Sequence, residues 1–239
     1  MQKLIEVEGI GEVILAKRKG TRNIRISISG DKVRLGMPFG VSEAAALQFL
    51  NSRRHWILKH KKDEARVLKS GDQIGKSHKL FFEPFEVTKP TARLHGQTIV
   101  VKFPRNLKSY MNEVQEAATR GSKKALQKEA EKYLLPRLKA WSDKTELDYK
   151  IGDVKFMKSR WGHCSNRGEI TLNSYLVQYD WKLIDYVIVH ELAHTAHHDH
   201  SDKFWSLVAK HCPPHKTLRK ELKNKQTAVV ANATESPKL

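Results

Sequence analysis

From Trp181 to His197 the sequence WKLIDYVIVHELAHTAH leaves a helix little polar circumference to turn toward water. Leu183, Ile184, Val187, Ile188, Val189 and Leu192 spread around the 3.6-residue period, and a helix this apolar is a buried one. Asp180, just ahead of it, is a good N-cap residue. The segment therefore specifies a helix inside a core. It also carries His190, Glu191 and His194, groups that are costly to bury unless something partners them.

The pattern His190-Glu191-Leu192-Ala193-His194 suggests that partner. Residues four apart on a helix lie nearly one above the other, with Cβ atoms roughly 6 Å apart. Two imidazoles so placed can converge on one Zn²⁺ with bonds of about 2.0–2.1 Å. Glu191 sits about 100° further round, so its carboxylate is expected to reach a water at the ion rather than the ion itself. There it would act as general base, the ion lowering that water's pKa to about 7. Five residues alone match by chance; on a buried helix followed by more histidines, the metal reading is favoured over hydrogen-bonded core histidines.

A third ligand must come from beyond this helix, and His197, His198 and His200 compete for the role. His197 shares the stripe of His190 and His194 but lies about 10.5 Å along the axis from His190. His200 is better placed if the helix ends near His198 and the chain turns back, because Ser201 can cap a following helix bearing Phe204, Trp205, Leu207 and Val208. His200 is the expected ligand. The H-E-x-x-H-x5-H spacing resembles metzincins, yet their turn glycine is replaced here by His197, so a different backbone must present the third ligand.

The rest of the chain reads as mixed structure. Ile24, Ile26 and Ile28 alternate with Arg25 and Ser27, and Gly30-Asp31 supplies a turn before Val33 and Leu35. This predicts a small antiparallel sheet with Arg22 and Arg25 on its solvated side. Ser42 is a plausible N-cap for one long helix whose buried stripe is Ala46, Leu47, Leu50 and Ile57. Its far end is basic, with Arg53, Arg54, Lys59, Lys61 and Lys62. Residues 71–104 read as further strands. Residues 111–144 read as mostly helical, breaking near Gly121 and bending at Pro136. A strand within 147–157 is expected to pair with another over 168–173. His211 and His215, beside Cys212 and Pro213-Pro214, match no strong metal template and are expected at the surface.

Charge is the unusual bulk property: 44 Lys and Arg stand against 26 Asp and Glu, a net +18. Such a field suits nucleic acid, nucleotides or an anionic substrate, and suits a simple solubility surface equally well. No apolar run approaches a membrane span, the first residues do not form a signal peptide, and two cysteines make no disulfide framework. A reducing cytoplasm is the expected compartment.

Several segments taken together are more specific than the His-Glu-x-x-His pentad. Arg160-Trp161-Gly162-His163-Cys164-Ser165 precedes Ile170-Thr171-Leu172-Asn173, then Ile184 to His194, then His200-Ser201 with Phe204-Trp205 close behind. This succession resembles the YgjP-like metal-dependent hydrolases, a family related to the SprT-like and gluzincin-type metallopeptidases. The resemblance is strong over the last third and weaker before it. It implies zinc held by His190, His194 and His200, Glu191 as general base, and the Trp161–Ser165 turn packed beside the site. The family usually has serine where this chain has His163, and often proline near Tyr179. Cys164 is expected to be a small buried residue rather than a fourth ligand. Arg160 either binds an anionic substrate or oxyanion, or only braces the turn.

The expected fold is α+β: an N-terminal antiparallel sheet with a basic helix, then a mainly helical, zincin-like half with a short sheet. The regions are residues 1–108, 109–226 and a disordered tail over 227–239. The expected activity is zinc-dependent hydrolysis, with peptide bonds as the first substrate class. Two alternatives stand beside it: a metal-dependent nucleoside triphosphate pyrophosphatase, which lacks a glycine-rich phosphate loop, and a basic nucleic-acid-associated protein with a structural zinc. The last is disfavoured because a structural site closes with four ligands and needs no base.

Overall fold

Alternation of apolar and polar residues in the first forty positions builds a four-stranded sheet. Its strands are β1 (Gln2–Val7), β2 (Gly11–Arg18), β3 (Arg25–Ser29) and β4 (Lys32–Pro38), in the order β1-β2-β4-β3. The computed structural model describes residues 2–29, 32–61, 67–158 and 160–224; the expected turn at Gly30-Asp31, residue Lys62 of the basic run and the tail from 227 lie outside them. The sheet is mixed rather than antiparallel. β1 and β3 run antiparallel to their neighbours, but β2 and β4 pair in parallel. A period of two fixes which face is buried, and does so equally for either strand direction.

Val13, Leu15, Val33 and Leu35 line the buried face, covered by Ala46, Leu50 and Ile57. Those three come from α1 (Glu43–Ser52) and α2 (Arg54–Lys61). Ser42 caps α1 as expected, its Oγ accepting from the Ala45 amide at 3.2 Å. The single long helix is in fact two. At Arg53 (φ −106°, ψ 9°) the chain leaves helical geometry and its amide donates to Leu50 O, a tightened closing turn that no glycine or proline announces.

A second compact unit begins at Val67. It contains β5 (Gln73–Ile74), β6 (His78–Phe85), β7 (Thr91–His95) and β8 (Thr98–Pro104), ordered β5-β6-β8-β7. The 34-residue helix α3 (Asn112–Thr145) packs on this sheet, so residues 67–108, expected to belong with the β-rich N-terminal region, share a core with the later helices. Gly121 does not break α3. A Cβ there would lie 2.6 Å from Ala92 Cβ and 3.0 Å from Ile99 Cγ2, so the glycine is what lets helix and sheet approach. Pro136 also lies within the helix.

Glu129, on the buried side of α3, anchors the loop before β6. Its carboxylate accepts from the amides of Ser77 (2.9 Å), His78 (3.1 Å) and Lys76, from Ser77 Oγ (2.8 Å), and meets His78 Nδ1. Gly75, at φ +68°, leaves the space that this carboxylate occupies.

The rest of the unit builds the surroundings of the histidines. β9 (Ile151–Lys155) pairs in parallel with β11 (Glu169–Asn173), and β10 (Gly162–Cys164) pairs antiparallel on β11's other side as an edge strand. After a 3-10 turn at Ser174–Gln178 come α4 (Trp181–Ala196), α5 (Asp202–His211) and α6 (His215–Asn224). Asp185 ties α4 to α3: Arg137 grips its carboxylate with two nitrogens, one at 2.7 Å, and Trp141 Nε1 donates to it at 2.7 Å. Among the described residues no helix is long and apolar enough to cross a membrane.

Candidate metal centre

α4 is buried on nearly every side, as its composition requires, with Leu183, Ile184, Val187 and Ile188 fully enclosed. Near its end His190 and Glu191 are buried, and one turn on His194 is half-buried. At His197 the backbone becomes extended (φ −135°, ψ 109°) while its amide still closes the helix on Ala193 O at 2.9 Å. The chain then reverses before Ser201, at the start of α5, and this brings His200 back over the helix. His197 needs no left-handed conformation, so the metzincin glycine has no task here.

One donor atom from each of His190, His194 and His200 lies within 4.8 Å of the others. Nε2 of His200 is 3.3 Å from Nε2 of His190. A tetrahedral zinc with bonds of about 2.0–2.1 Å separates its donors by about 3.3–3.4 Å, so this donor set fits such an ion. His194 Nδ1 donates to the His197 carbonyl at 3.0 Å, which leaves the Nε2 lone pair free. His197 and His198 do not join the group. Nor do His211 and His215; His215, expected at the surface, is buried with its ring stacked on Trp205.

α5 holds the three rings in place. Phe204 stacks on His194 (centroids 4.5 Å, 30°) and meets His190 and His200 edge-on, each at 4.9 Å. Trp205 stacks on His200 at 5.5 Å and 23°, and the Arg219 guanidinium lies 4.7 Å from the Trp205 ring. His200 is thus fixed by aromatic packing, though it stands on a connection between helices.

Burial pushes His190 down to about 3, helped by His194, His200 and Arg219, so its ring stays neutral. Burial lowers His194 also, against the pull of its bond to His197. Glu191 moves the other way. Burial raises it to about 8, opposed by the charge of Arg160 and a hydrogen bond from the Cys164 amide. Its carboxylate lies against Gly162 of β10, where an added Cβ would stand 2.4 Å from Oε1. The Trp161–Ser165 segment thus packs beside the site, though as the edge strand β10 rather than the expected turn. Cys164 is half-buried rather than buried; burial and the neighbouring Glu191 raise its thiol to about 11, which keeps it protonated and a poor ligand. Arg160 and His163 are exposed and paired, Nη1 to Nδ1, at 3.2 Å.

The family model for the YgjP-like metallopeptidase domain matches residues 22–225. The chain belongs to the YgjP-like family. Membership makes it a metallopeptidase-type hydrolase, and the metal that such a fold uses has a fitting set of donors in the three imidazoles. Two solved structures are also similar to this YgjP-like chain. The metallopeptidase zymogen of Pyrococcus abyssi abylysin is 22% identical, with 41% of this chain and 99% of that one covered at a TM-score of 0.37. The zymogen of Methanocaldococcus jannaschii jannalysin is also 22% identical, with 35% and 90% covered at a TM-score of 0.31. No curated protein matches the chain.

Gly162, Phe204, Trp205 and Arg219 are the participants that reading the sequence did not assign. Gly162 has an ordinary negative-side φ, so no turn requires it. The sequence places Gly162 in a turn, whereas Gly162–Cys164 is an edge strand, and a glycine inside a strand often marks close approach by another group.

Proposed function

We propose that this YgjP-like chain is a zinc-dependent peptidase in which His190, His194 and His200 hold the ion and Glu191 is the general base. The observation that carries the reading is the convergence of three imidazole donors within 4.8 Å beside a buried carboxylate that is not one of them. Zinc held there would supply Lewis acidity toward water and the scissile carbonyl. Glu191 takes the proton of the attacking water and passes it to the departing amine. Phe204 and Trp205 keep the ligand rings from turning, and Gly162 leaves the space that the carboxylate occupies beside the edge strand. The large positive charge suits an anionic substrate, and suits a simple solubility surface equally well.

The test compares zinc-loaded wild type with Glu191→Gln, using casein and a panel of nucleoside triphosphates. Cleavage of casein by wild type, lost in a variant that keeps its zinc, is the expected result. Triphosphate turnover lost in the same way would reassign the substrate to phosphoanhydrides. Equal nucleic-acid binding by both proteins with no turnover would reduce the zinc to a structural role.

A further inference from the structure

The sheet of β5 to β8 turns one face to α3. Leu80, Ile99, Val101 and Phe103 are buried on that side, and a Cβ on Gly121 of α3 would strike Ala92 and Ile99. Side chains alternate along a strand, so the intervening residues point away from the helix. Pairing sets them in cross-strand rows: Lys79 with Thr98 and His95, Phe81 with Val100 and Arg93, Glu83 with Lys102 and Thr91. Phe85 ends the file on β6, beside Pro104. Phe81 and Phe85 are 39% and 45% exposed although β6 is an inner strand, and Lys79, Arg93 and His95 are exposed with them. The Lys102 ammonium lies 4.0 Å from the centroid of Phe85. Among these described positions Glu83 is the one acid.

We propose that this face binds single-stranded nucleic acid, one base stacked on Phe81, a second against the Phe85–Lys102 pair, and phosphates beside Lys79 and Arg93. The two rings stand about 13 Å apart along β6, far enough to serve separate nucleotides of one strand. Stacking asks for a π face and for no particular base, while cations at the margin neutralise the backbone. In a duplex the bases are already stacked on one another and cannot reach a ring, which selects a single strand. A protein partner fits this face less well. A stable interface takes roughly 20–30 residues a side and is depleted of charge at its centre. Here Glu83 and Lys102 separate Phe81 from Phe85, and Arg93 flanks Val100. None of these residues belongs to the three-histidine centre, so the surface stands or falls apart from the peptidase reading.

Fluorescence anisotropy with the full chain and a labelled oligothymidylate of about 15 nucleotides tests this. Wild type should bind the oligonucleotide at least about 10-fold more tightly than a duplex of equal length at roughly 0.2 M salt, where diffuse charge attraction is weakened. Phe81→Leu keeps apolar bulk but removes the π face; it should weaken binding roughly 5- to 150-fold and leave the salt slope unchanged. Arg93→Ala should instead flatten the slope of log affinity against log salt by about 0.7, the share of one phosphate on a single strand. Phe81→Trp should bind as wild type does, and the oligonucleotide should quench its fluorescence more than that of wild type. Oligouridylate should bind within a few-fold of oligothymidylate, because neither stacking nor phosphate contact involves the 2′-hydroxyl. Wild-type affinity in Phe81→Leu, equal affinity for the duplex, or no added quenching in Phe81→Trp each overturns the assignment and leaves only unspecific attraction to a basic surface.

Discussion

Glu191 and Gly162 compete for one small volume: a Cβ on the glycine would stand 2.4 Å from Oε1 of the glutamate and 2.5 Å from its Cγ. Helix and edge strand are packed so closely that only a hydrogen fits between them. Gly162→Ala must therefore move the carboxylate while leaving the three imidazoles alone. Zinc content should stay at the wild-type level and kcat should fall on the order of 10²-fold, the lower end of what a general base supplies. Metal analysis beside steady-state kinetics checks this. An alanine variant with wild-type turnover would show that the carboxylate's position is not critical.

Three histidines follow His194 within six residues, and only His200 reaches the other two donors. Removing it should weaken zinc binding strongly, whereas His197→Ala and His198→Ala should each leave affinity within a few-fold of wild type. His197 acts through its backbone carbonyl on His194 Nδ1, and alanine keeps that carbonyl. Competition with a chromophoric chelator gives the ranking directly. A larger loss for either neighbour would remove His200 from the proposed ligand set.

What could be read in advance follows from which geometry is local. The relation of His190, Glu191 and His194 is set by helical pitch, so five residues suffice to place them. His200 was legible because Ser201 marks the start of a helix, and a chain that must begin one there has to reverse first. The mixed N-terminal sheet was not legible, since alternation says which face is buried and nothing about which strand lies alongside. Gly121 and Gly162 looked like punctuation, yet each is glycine because a distant element presses on it. Nothing in the sequence singles out Glu129, because its donors arrive from residues about fifty positions earlier.

Trp205 offers a separate test of how the third ligand is held. His200 is exposed and lies between helices, so without the indole face at 5.5 Å its ring would sample other rotamers before binding metal. Trp205→Ala should cost roughly 10–100-fold in zinc affinity, as outer-shell changes commonly do, and Trp205→Phe should recover most of it. The d–d absorption of the cobalt-substituted protein should broaden in the alanine variant alone. If alanine and phenylalanine behave alike, stacking is not what positions His200.

Glu129 links the fold to pH through a cause unconnected with metal. Burial works to raise its pKa, but hydrogen bonds from His78, from the Lys76 and Ser77 amides and from the Ser77 hydroxyl outweigh it, and the net shift is downward from 4.5. A carboxyl held below its unfolded value contributes stability that is fully present above about pH 4.5 and is lost as pH falls toward the folded value. Wild type should therefore lose unfolding free energy below that point. Glu129→Gln would replace one accepting oxygen with an amide that faces donors, costing about 3 kcal/mol at neutral pH. Its stability should also vary less between pH 3 and 5 (about two units below neutrality and lower), because the group that titrates in wild type is gone. Urea unfolding of both proteins across that range decides the matter: curves that stay parallel would mean that some other carboxyl sets the acid sensitivity.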